Sequence, residues 1–324
     1  MRSEILEELN RARELVDAKI EEVLPRGGPE DLYDACWHLI EAGGKRIRPL
    51  LAIKSCLMLG GSEKDVLPEA VAVELIHTFT LIHDDIMDED KERRGVPSVH
   101  VKWGVPVAIL AGDTLFSKAF EVAAEGGNVE AVKELARACT EICEGQAMDI
   151  GFENRTEVTE EEFLEMIRKK TAALIRTSCV VGGIKAGANL EQLGALREYG
   201  ENLGIAFQIQ DDVLDLIGDE SELGKPVGSD IVEGKKTLIV IKGLELADEE
   251  QRERILSVLG NEDASREDVR EVIQILEEIG AIDYAKKRAR EYADRAKAAL
   301  HELPENEHRE FLEKLADFVV EREF

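Results

Sequence analysis

Apolar residues recur at three- and four-residue spacing along almost the whole chain, which is the period of an amphipathic α-helix. The longest such stretches span residues 4–23, 69–89, 129–152, 159–185, 190–217 and 282–300. Helix starts are indicated by Thr159, which opens a capping-box pattern with Glu162, and by Ser265 ahead of a charged first turn. Alternation of apolar and polar residues between turns is nearly absent. The sequence therefore predicts an all-α fold.

Two copies of one acidic pattern, D-D-x-x-D, interrupt apolar helical stretches at residues 84–88 and 211–215. At helical pitch Asp84 and Asp88 share one face, as do Asp211 and Asp215. Clustered carboxylates in apolar surroundings repel each other and lose hydration, so they require a compensating cation. Two such faces turned toward one cavity would supply the oxygen ligands that Mg2+ accepts and leave open positions for phosphate oxygens. The pattern predicts a diphosphate held through Mg2+.

A basic turn, GGKRIRP at residues 43–49, has the composition of a phosphate-binding segment. Paired glycines allow a backbone to approach an anion closely, and Lys and Arg donate to phosphate. An exposed basic turn is the alternative. Two irregular segments, residues 91–106 and 218–234, add basic residues beside the acidic copies. Such loops commonly close over a ligand.

Composition and charge narrow the class of protein. The chain has 324 residues, is 44% hydrophobic and shows no linker-like segment, which predicts a single domain over residues 1–324. No apolar run approaches membrane-spanning length, the N-terminus has no signal-peptide pattern, and the five cysteines are scattered, so we expect a cytoplasmic protein. The net charge of −28 argues against nucleic acid and anionic lipid as partners. The same acidity fits a solubilising protein surface. Whether it reflects a thermophilic or a high-salt source stays open.

Between residues 43 and 237 the chain reads, in order, GGKRIRP, IHTFTLIHDDIMD, RRG, EGQAMD, KT, FQIQDDVLD, GKPVGSD and EGKKT. With this ordered set it resembles the trans-isoprenyl diphosphate synthases of the polyprenyl synthetase family, in particular archaeal short-chain geranylgeranyl and farnesyl diphosphate synthases. The resemblance implies an isoprenoid synthase fold, with antiparallel helices around a large central cavity, and a homodimer. It also implies condensation of isopentenyl diphosphate with dimethylallyl, geranyl or farnesyl diphosphate.

The resemblance further implies a role for individual residues of the site. The residues expected to bind isopentenyl diphosphate are Lys45, Arg48, His77 and Arg94. Those expected to bind the allylic diphosphate are Arg93, Lys170, Thr171, Gln208, Lys225 and Lys235, of which Lys170, Thr171, Gln208 and Lys235 are the candidate catalytic residues. Asp84, Asp88 and Asp211 are expected to hold three Mg2+ ions. Supporting roles fall to Asp85, Asp212, Asp215, Gln146 and Asp149.

Phe79 is the candidate determinant of product length. It lies five positions before Asp84, about 7.5 Å along a helix axis. A single aromatic residue there, followed by Thr80, resembles the archaeal geranylgeranyl type, so we expect a C20 product with some C15. The alternative is that Phe79 only packs between helices, as we expect for Phe116 and Phe120.

Three other functions remain open. Glu74-x-x-His77 and Glu305-x-x-His308 have the spacing used in di-iron helical bundles. A non-catalytic regulatory subunit of a prenyl synthase would share the fold, although both acidic copies are intact here. A terpene cyclase would share the cavity, but normally with an Asn/Ser/Glu pattern at its second metal site.

Overall fold

The structure, a computed structural model, describes residues 2–29, 31–153, 155, 157–218 and 226–322. Helices dominate these residues. They are α1 Arg2–Val23, α2 Leu32–Glu41, α3 Ile47–Met58, α4 Glu63–Met87, α5 Val99–Trp103, α6 Val105–Glu125, α7 Val129–Glu153, α8 Glu160–Ile167, α9 Ala173–Lys185, α10 Leu190–Ile217, α11 Ser229–Val232, α12 Leu238–Leu246, α13 Glu249–Val258, α14 Arg266–Glu278, α15 Ala281–Ala299 and α16 Glu307–Glu321. A π-helical turn, Arg168–Ala172, joins α8 to α9, and a 3-10 turn, Leu300–Glu302, follows α15. Within the described residues, strand is limited to the antiparallel pair β1 Glu92–Arg93 and β2 Val96–Pro97.

The all-α prediction is confirmed, and the predicted helix starts are present. Thr159 accepts from the Glu162 backbone and Glu162 reaches back to Thr159, a complete capping box. Ser265 caps α14 in the same way. The predicted stretch 159–185 differs in one respect, because the π turn interrupts it. The predicted stretch 69–89 begins earlier, at Glu63, where the Ser62 hydroxyl accepts from a backbone amide.

The chain forms two compact units, which are described separately. The first comprises Met1–Cys139, Leu174–Arg197 and Leu300–Leu312, and the second comprises Thr140–Ala173, Glu198–Ala299 and Glu313–Phe324. The assignment of residues 1–324 to a single domain stays a prediction.

Helix α4 lies at the centre of the first unit, against α1, α3 and α6. The approach of α4 to α6 is close, since a Cβ added at Gly112 would lie 2.2 Å from Nε2 of His83. The expectation that no apolar run approaches membrane-spanning length is wrong for α4, which by length and composition could cross a membrane, but most of its apolar stretch is buried inside the protein. Burial of this kind is typical of a core helix, and it places the first acidic motif at the end of a rigid element.

The second unit has its own apolar core. Residues of α8, α10, α12, α14 and α15 form it, among them Phe163, Ile209, Leu238, Leu276 and Ile282. Helix α10 ends in the second acidic motif, so this motif too is carried by a core helix.

Candidate active site

The basic turn ahead of α3 depends on backbone conformations that favour glycine. Gly43 and Gly44 have φ of 97° and 155°. A Cβ at Gly44 would lie 2.6 Å from Nη1 of Arg46 and 2.9 Å from Nη2 of Arg94. Because Gly44 has no side chain, the guanidinium groups of Arg46 and Arg94 can both lie close to the backbone of this turn.

Arg46, inside the basic motif, is a buried structural residue. Its guanidinium donates to Asp17 and to Glu74, each at 2.9 Å. Burial raises the pKa of Glu74, and Arg46 opposes that rise. A buried charge requires such a partner, so Arg46 ties α3 to α1 and α4.

The same contacts argue against the di-iron alternative. Glu74 is held by Arg46, and Glu305, of the second Glu-x-x-His pair, is exposed. Over the described ranges no three His, Cys, Asp or Glu side chains are grouped so that they could hold a metal ion. His77 and His308 therefore do not belong to a di-iron cluster.

His77 lies among arginines in the first unit. Its Nε2 is 3.3 Å from Nη1 of Arg48. Burial, and next the positive charge of Arg48, hold the pKa of His77 well below its usual value. A neutral His77 can accept from Arg48. Arg94 donates to the Leu39 carbonyl at 2.6 Å, and Lys45 is exposed. All four predicted isopentenyl diphosphate residues belong to the first unit.

The first acidic motif lies at the end of α4. Asp85 is fully buried and accepts from Arg93 at 2.6 Å, and Arg93 also donates to Asp90 at 2.7 Å. Burial raises the pKa of Asp85, and Arg93 opposes the rise. Asp84 and Asp88 are half-buried on the neighbouring face. Arg93, a predicted allylic diphosphate residue, is thus engaged by one carboxylate of the motif, Asp85, and by Asp90 just beyond it.

An aromatic stack begins at Phe79. Its ring centroid lies 5.2 Å from that of Phe116, which lies 5.0 Å from that of Phe120. His83 contacts the other side of Phe79 at 5.0 Å, and the Thr80 hydroxyl bonds a backbone carbonyl of its own helix. Phe116 and Phe120 differ from the ordinary core residues that the sequence predicts, because their rings, like that of Phe79, are half-buried. The four-residue spacing of Phe116 and Phe120 was the signal that could have linked them.

In the second unit the π turn carries the Lys-Thr pair. Lys170 Nζ donates to Asp149 at 2.5 Å, and the Thr171 hydroxyl donates to Gln208 Oε1 at 2.7 Å. Side chains on α7 and α10 therefore hold two adjacent residues of the turn. π-helical turns are rare and occur frequently at functional sites.

Gln208 continues this chain of hydrogen bonds into the second acidic motif. Its Nε2 donates to Asp212 Oδ1 at 2.9 Å, while Oδ2 of Asp212 is buried without a hydrogen bond. Burial, and next the charge of Asp230, raise the pKa of Asp212 well above its usual value. Asp215 accepts from the Ser229 hydroxyl at 2.8 Å and from the Asp230 amide at 3.1 Å. Asp215 thereby anchors the start of α11.

Asp211 has a partner that the sequence analysis missed. The guanidinium of Arg322, with 6% of its side chain exposed, pairs with Asp211 and lies 4.2 Å above the ring of Phe207. Nothing in the local sequence of Arg322 links it to a motif more than a hundred residues away, so only the tertiary structure reveals the pair.

Three further residues were predicted for the site: Lys235, Gln146 and Lys225. Lys235 pairs with Glu233 at 2.5 Å and lies 3.7 Å from Asp230. The Gln146 amide is buried, and neither its nitrogen nor its oxygen has a hydrogen-bond partner among the described residues. Lys225 lies outside the described residues.

The carboxylates fit Mg2+ as a ligand type. Mg2+ is usually held by one or two carboxylates together with substrate phosphates, so a site of this kind does not need three protein ligands. Asp84 and Asp88 lie one helical turn apart, and Asp85 and Asp212 each retain a buried oxygen without a hydrogen bond. Such oxygens are costly unless a cation or proton satisfies them.

Comparison with known proteins identifies the class. A family model described as polyprenyl synthetase matches residues 29–276. The chain belongs to the polyprenyl synthetase family, whose members are generally Mg2+-dependent, and the predicted isoprenoid synthase fold is confirmed by its solved relatives.

Three relatives place the chain within that family. It is 52% identical to a short chain isoprenyl diphosphate synthase of Methanothermobacter thermautotrophicus, over 99% of both chains. It is 46% identical to a geranylfarnesyl diphosphate synthase of Natronomonas pharaonis, over 96% of both. A crystal structure of geranylgeranyl pyrophosphate synthetase from Pyrococcus horikoshii superposes with a TM-score of 0.93 at 47% identity, covering 99% of both chains.

Proposed function

We propose that the protein is a short-chain trans-prenyltransferase that makes geranylgeranyl diphosphate from isopentenyl diphosphate and an allylic diphosphate. The observation that carries the proposal is the chain of hydrogen bonds from Thr171 through Gln208 to Asp212. It joins a hydroxyl and an amide to an acidic motif, beside a lysine held by Asp149. Relatives named for this chemistry, described above, support the assignment.

Binding of the two substrates is assigned to two sets of residues. Arg48, His77, Arg94 and Lys45 would bind the diphosphate of isopentenyl diphosphate, since guanidinium groups donate to it in a forked geometry. A neutral His77 that accepts from Arg48 through Nε2 can donate its other ring N–H to the oxygens of this diphosphate.

Allylic diphosphate binding is assigned to the lysines of the second unit and to Arg93. Lys170 and Lys235 would neutralise charge that builds on the departing diphosphate, and Lys225, outside the described residues, is expected to join them. Arg93 would have to share its guanidinium between the substrate and Asp85. Three bound Mg2+ ions, held through Asp84, Asp88 and Asp211, would supply the remaining charge neutralisation of the leaving diphosphate.

Stabilisation of the developing carbocation is assigned to oxygen dipoles. The Thr171 hydroxyl donates to Gln208, so its oxygen lone pairs remain available to a cation. Because Asp212 fixes the Gln208 amide, neither dipole has to reorient during the reaction. Asp215, Asp149 and Gln146 are proposed as supporting residues.

Product length is assigned to the stack of Phe79, Phe116 and Phe120. The growing chain extends away from a diphosphate held at Asp84, and Phe79 lies five residues back along α4. We propose a C20 product, with some C15 released. To test this, the protein is incubated with Mg2+, labelled isopentenyl diphosphate and each allylic primer, and product length is measured. A C25 product from the unaltered protein would contradict the C20 assignment.

Variants locate the end of the tunnel. Phe79→Ala should lengthen the product by opening space in front of Phe116, and Thr80→Phe should shorten it toward C15. Unchanged product distributions in both variants would show that chain length is limited elsewhere.

A homodimer is proposed from one apolar surface of the first unit. Val101, Val105, Ile109 and Leu110 of α5 and α6 are 52%, 43%, 42% and 55% exposed. Contiguous exposed apolar residues mark association surfaces, and a second copy of the chain is the partner expected from the family. Leu110→Glu should shift the mass in light scattering from dimer to monomer, whereas Leu246→Glu, at an exposed residue of the second unit, should not. A monomeric unaltered protein would contradict the proposal.

We further propose that the enzyme acts in the cytoplasm without membrane insertion. The burial of α4 supports this, because a helix long and apolar enough to cross a membrane lies mostly inside the protein.

A further inference from the structure

The π turn Arg168–Ala172 lies between two helices that approach its backbone at glycines. A Cβ at Gly145 of α7 would lie 2.3 Å from the Lys170 nitrogen and 2.7 Å from its Cα. A Cβ at Gly204 of α10 would lie 2.5 Å from the Ala172 Cα and 2.6 Å from its Cβ. Real Cβ atoms essentially never approach within 3.0 Å, so any other residue at either position would displace the turn.

Each glycine precedes, by one helical turn, the polar side chain that holds the π turn. Asp149, four residues after Gly145, accepts a hydrogen bond from the Lys170 ammonium. Gln208, four residues after Gly204, accepts one from the Thr171 hydroxyl. Residues four apart share one helix face. On each flanking helix, therefore, the glycine allows close contact with the backbone of the π turn. A polar residue on the same helix face binds a side chain of the turn.

We propose that Gly145 and Gly204 are positioning residues of the prenyl-transfer reaction, because they hold the turn where Lys170 and Thr171 reach Asp149 and Gln208. This inference rests on the proposed function, which assigns Lys170 and Thr171 to the allylic diphosphate. A methyl group at either glycine pushes the turn toward the opposite helix, and a misplacement of about 1 Å can cost about 100-fold in rate.

The chain offers matched control glycines. Gly151 on α7 and Gly194 on α10 lie on the same two helices, and a Cβ there would meet nothing within 4 Å. Alanine is favoured over glycine within a helix, so Gly151→Ala and Gly194→Ala should hold or raise the Tm and leave both kcat and KM within about twofold of the unaltered values.

The test compares kcat, KM for each substrate and Tm. Gly145→Ala and Gly204→Ala should lower kcat by about 10- to 100-fold while KM for isopentenyl diphosphate changes less than about twofold. Ala172→Gly in the Gly204→Ala background removes one of the two clashing atoms and should restore part of kcat.

Several results would overturn the inference. One is an unchanged kcat in both variants; another is a KM for isopentenyl diphosphate that rises as much as kcat falls. If both variants failed to fold and Ala172→Gly restored neither folding nor activity, the glycines would serve packing alone. A lack of C20 formation by the unaltered protein would instead reject the proposed function, so the two failures are distinguishable.

Discussion

The two acidic motifs share one sequence pattern but have different surroundings. In the first, the buried middle carboxylate, Asp85, is paired with Arg93 at 2.6 Å. In the second, the buried middle carboxylate, Asp212, accepts from the Gln208 amide, and the negative charge of Asp230 opposes its ionisation. Both retain an oxygen without a hydrogen bond. Burial raises the pKa of both carboxylates, but the Arg93 cation opposes that rise at Asp85, whereas the Asp230 carboxylate adds to it at Asp212.

The outer residues differ as well. Asp211 is paired with the buried Arg322, and Asp215 organises the start of α11 through Ser229. Asp88 instead follows the last residue of α4, where its amide bonds to the Asp84 carbonyl. The outer carboxylates of the second motif thus connect α10 to Arg322 and to the start of α11.

The largest expected effect comes from removing the outer carboxylates. Asp84→Ala and Asp211→Ala should each lower turnover by orders of magnitude, because both carboxylates are proposed to act where charge grows on the leaving group. Circular dichroism should show an intact fold for both. Asp211→Ala alone should also lower the Tm, since the buried Arg322 loses its carboxylate partner. Near-normal turnover at saturating Mg2+ in either variant would refute the assignment.

The next effect separates the two diphosphate sites. Lys45→Ala or Arg48→Ala should mainly raise KM for isopentenyl diphosphate, since such contacts bind ground and transition states alike. Lys235→Ala should mainly lower kcat, because its charge assists departure of the leaving group. Steady-state kinetics with each substrate varied would distinguish them, and the same defect in both classes would contradict the two-site assignment.

A smaller effect concerns stability at the middle carboxylates. Asp85→Asn should destabilise the fold by about 1–3 kcal/mol, because it leaves Arg93 without its buried partner. Asp212→Asn should be neutral or stabilising, since Asn is uncharged at a position where burial and Asp230 disfavour the ionised carboxylate. Urea unfolding at neutral pH measures both. Equal destabilisation by the two variants would contradict the difference inferred here.

The smallest effect is the pH dependence of that stability. Because the folded pKa of Asp212 is raised, the native state keeps a proton that the unfolded chain releases above about pH 4. Unfolding free energy should therefore fall as pH rises from there toward the folded pKa. Asp212→Asn should remove more of this slope than Asp85→Asn, as unfolding curves across that range would show. An identical slope in Asp212→Asn and the unaltered protein would argue that Asp212 is ionised.

Local pattern was enough to predict the helices and both acidic motifs, because apolar spacing and carboxylate spacing are sequence-local. The π turn could not be predicted in this way, since the helical period runs through residues 159–185 while Gly145 and Gly204 act from other helices. The pairing of Arg322 with Asp211 likewise joins distant parts of the chain. The residue roles assigned to Lys45, Arg48, Lys235 and the metal carboxylates stay predictions.

The central claim is that the protein joins isopentenyl diphosphate to an allylic diphosphate. A single-turnover reaction of excess enzyme with Mg2+, farnesyl diphosphate and labelled isopentenyl diphosphate tests it directly. We expect one C20 diphosphate and one released pyrophosphate for each molecule of labelled isopentenyl diphosphate consumed. Pyrophosphate release without incorporation of label, or no reaction at all, would contradict it.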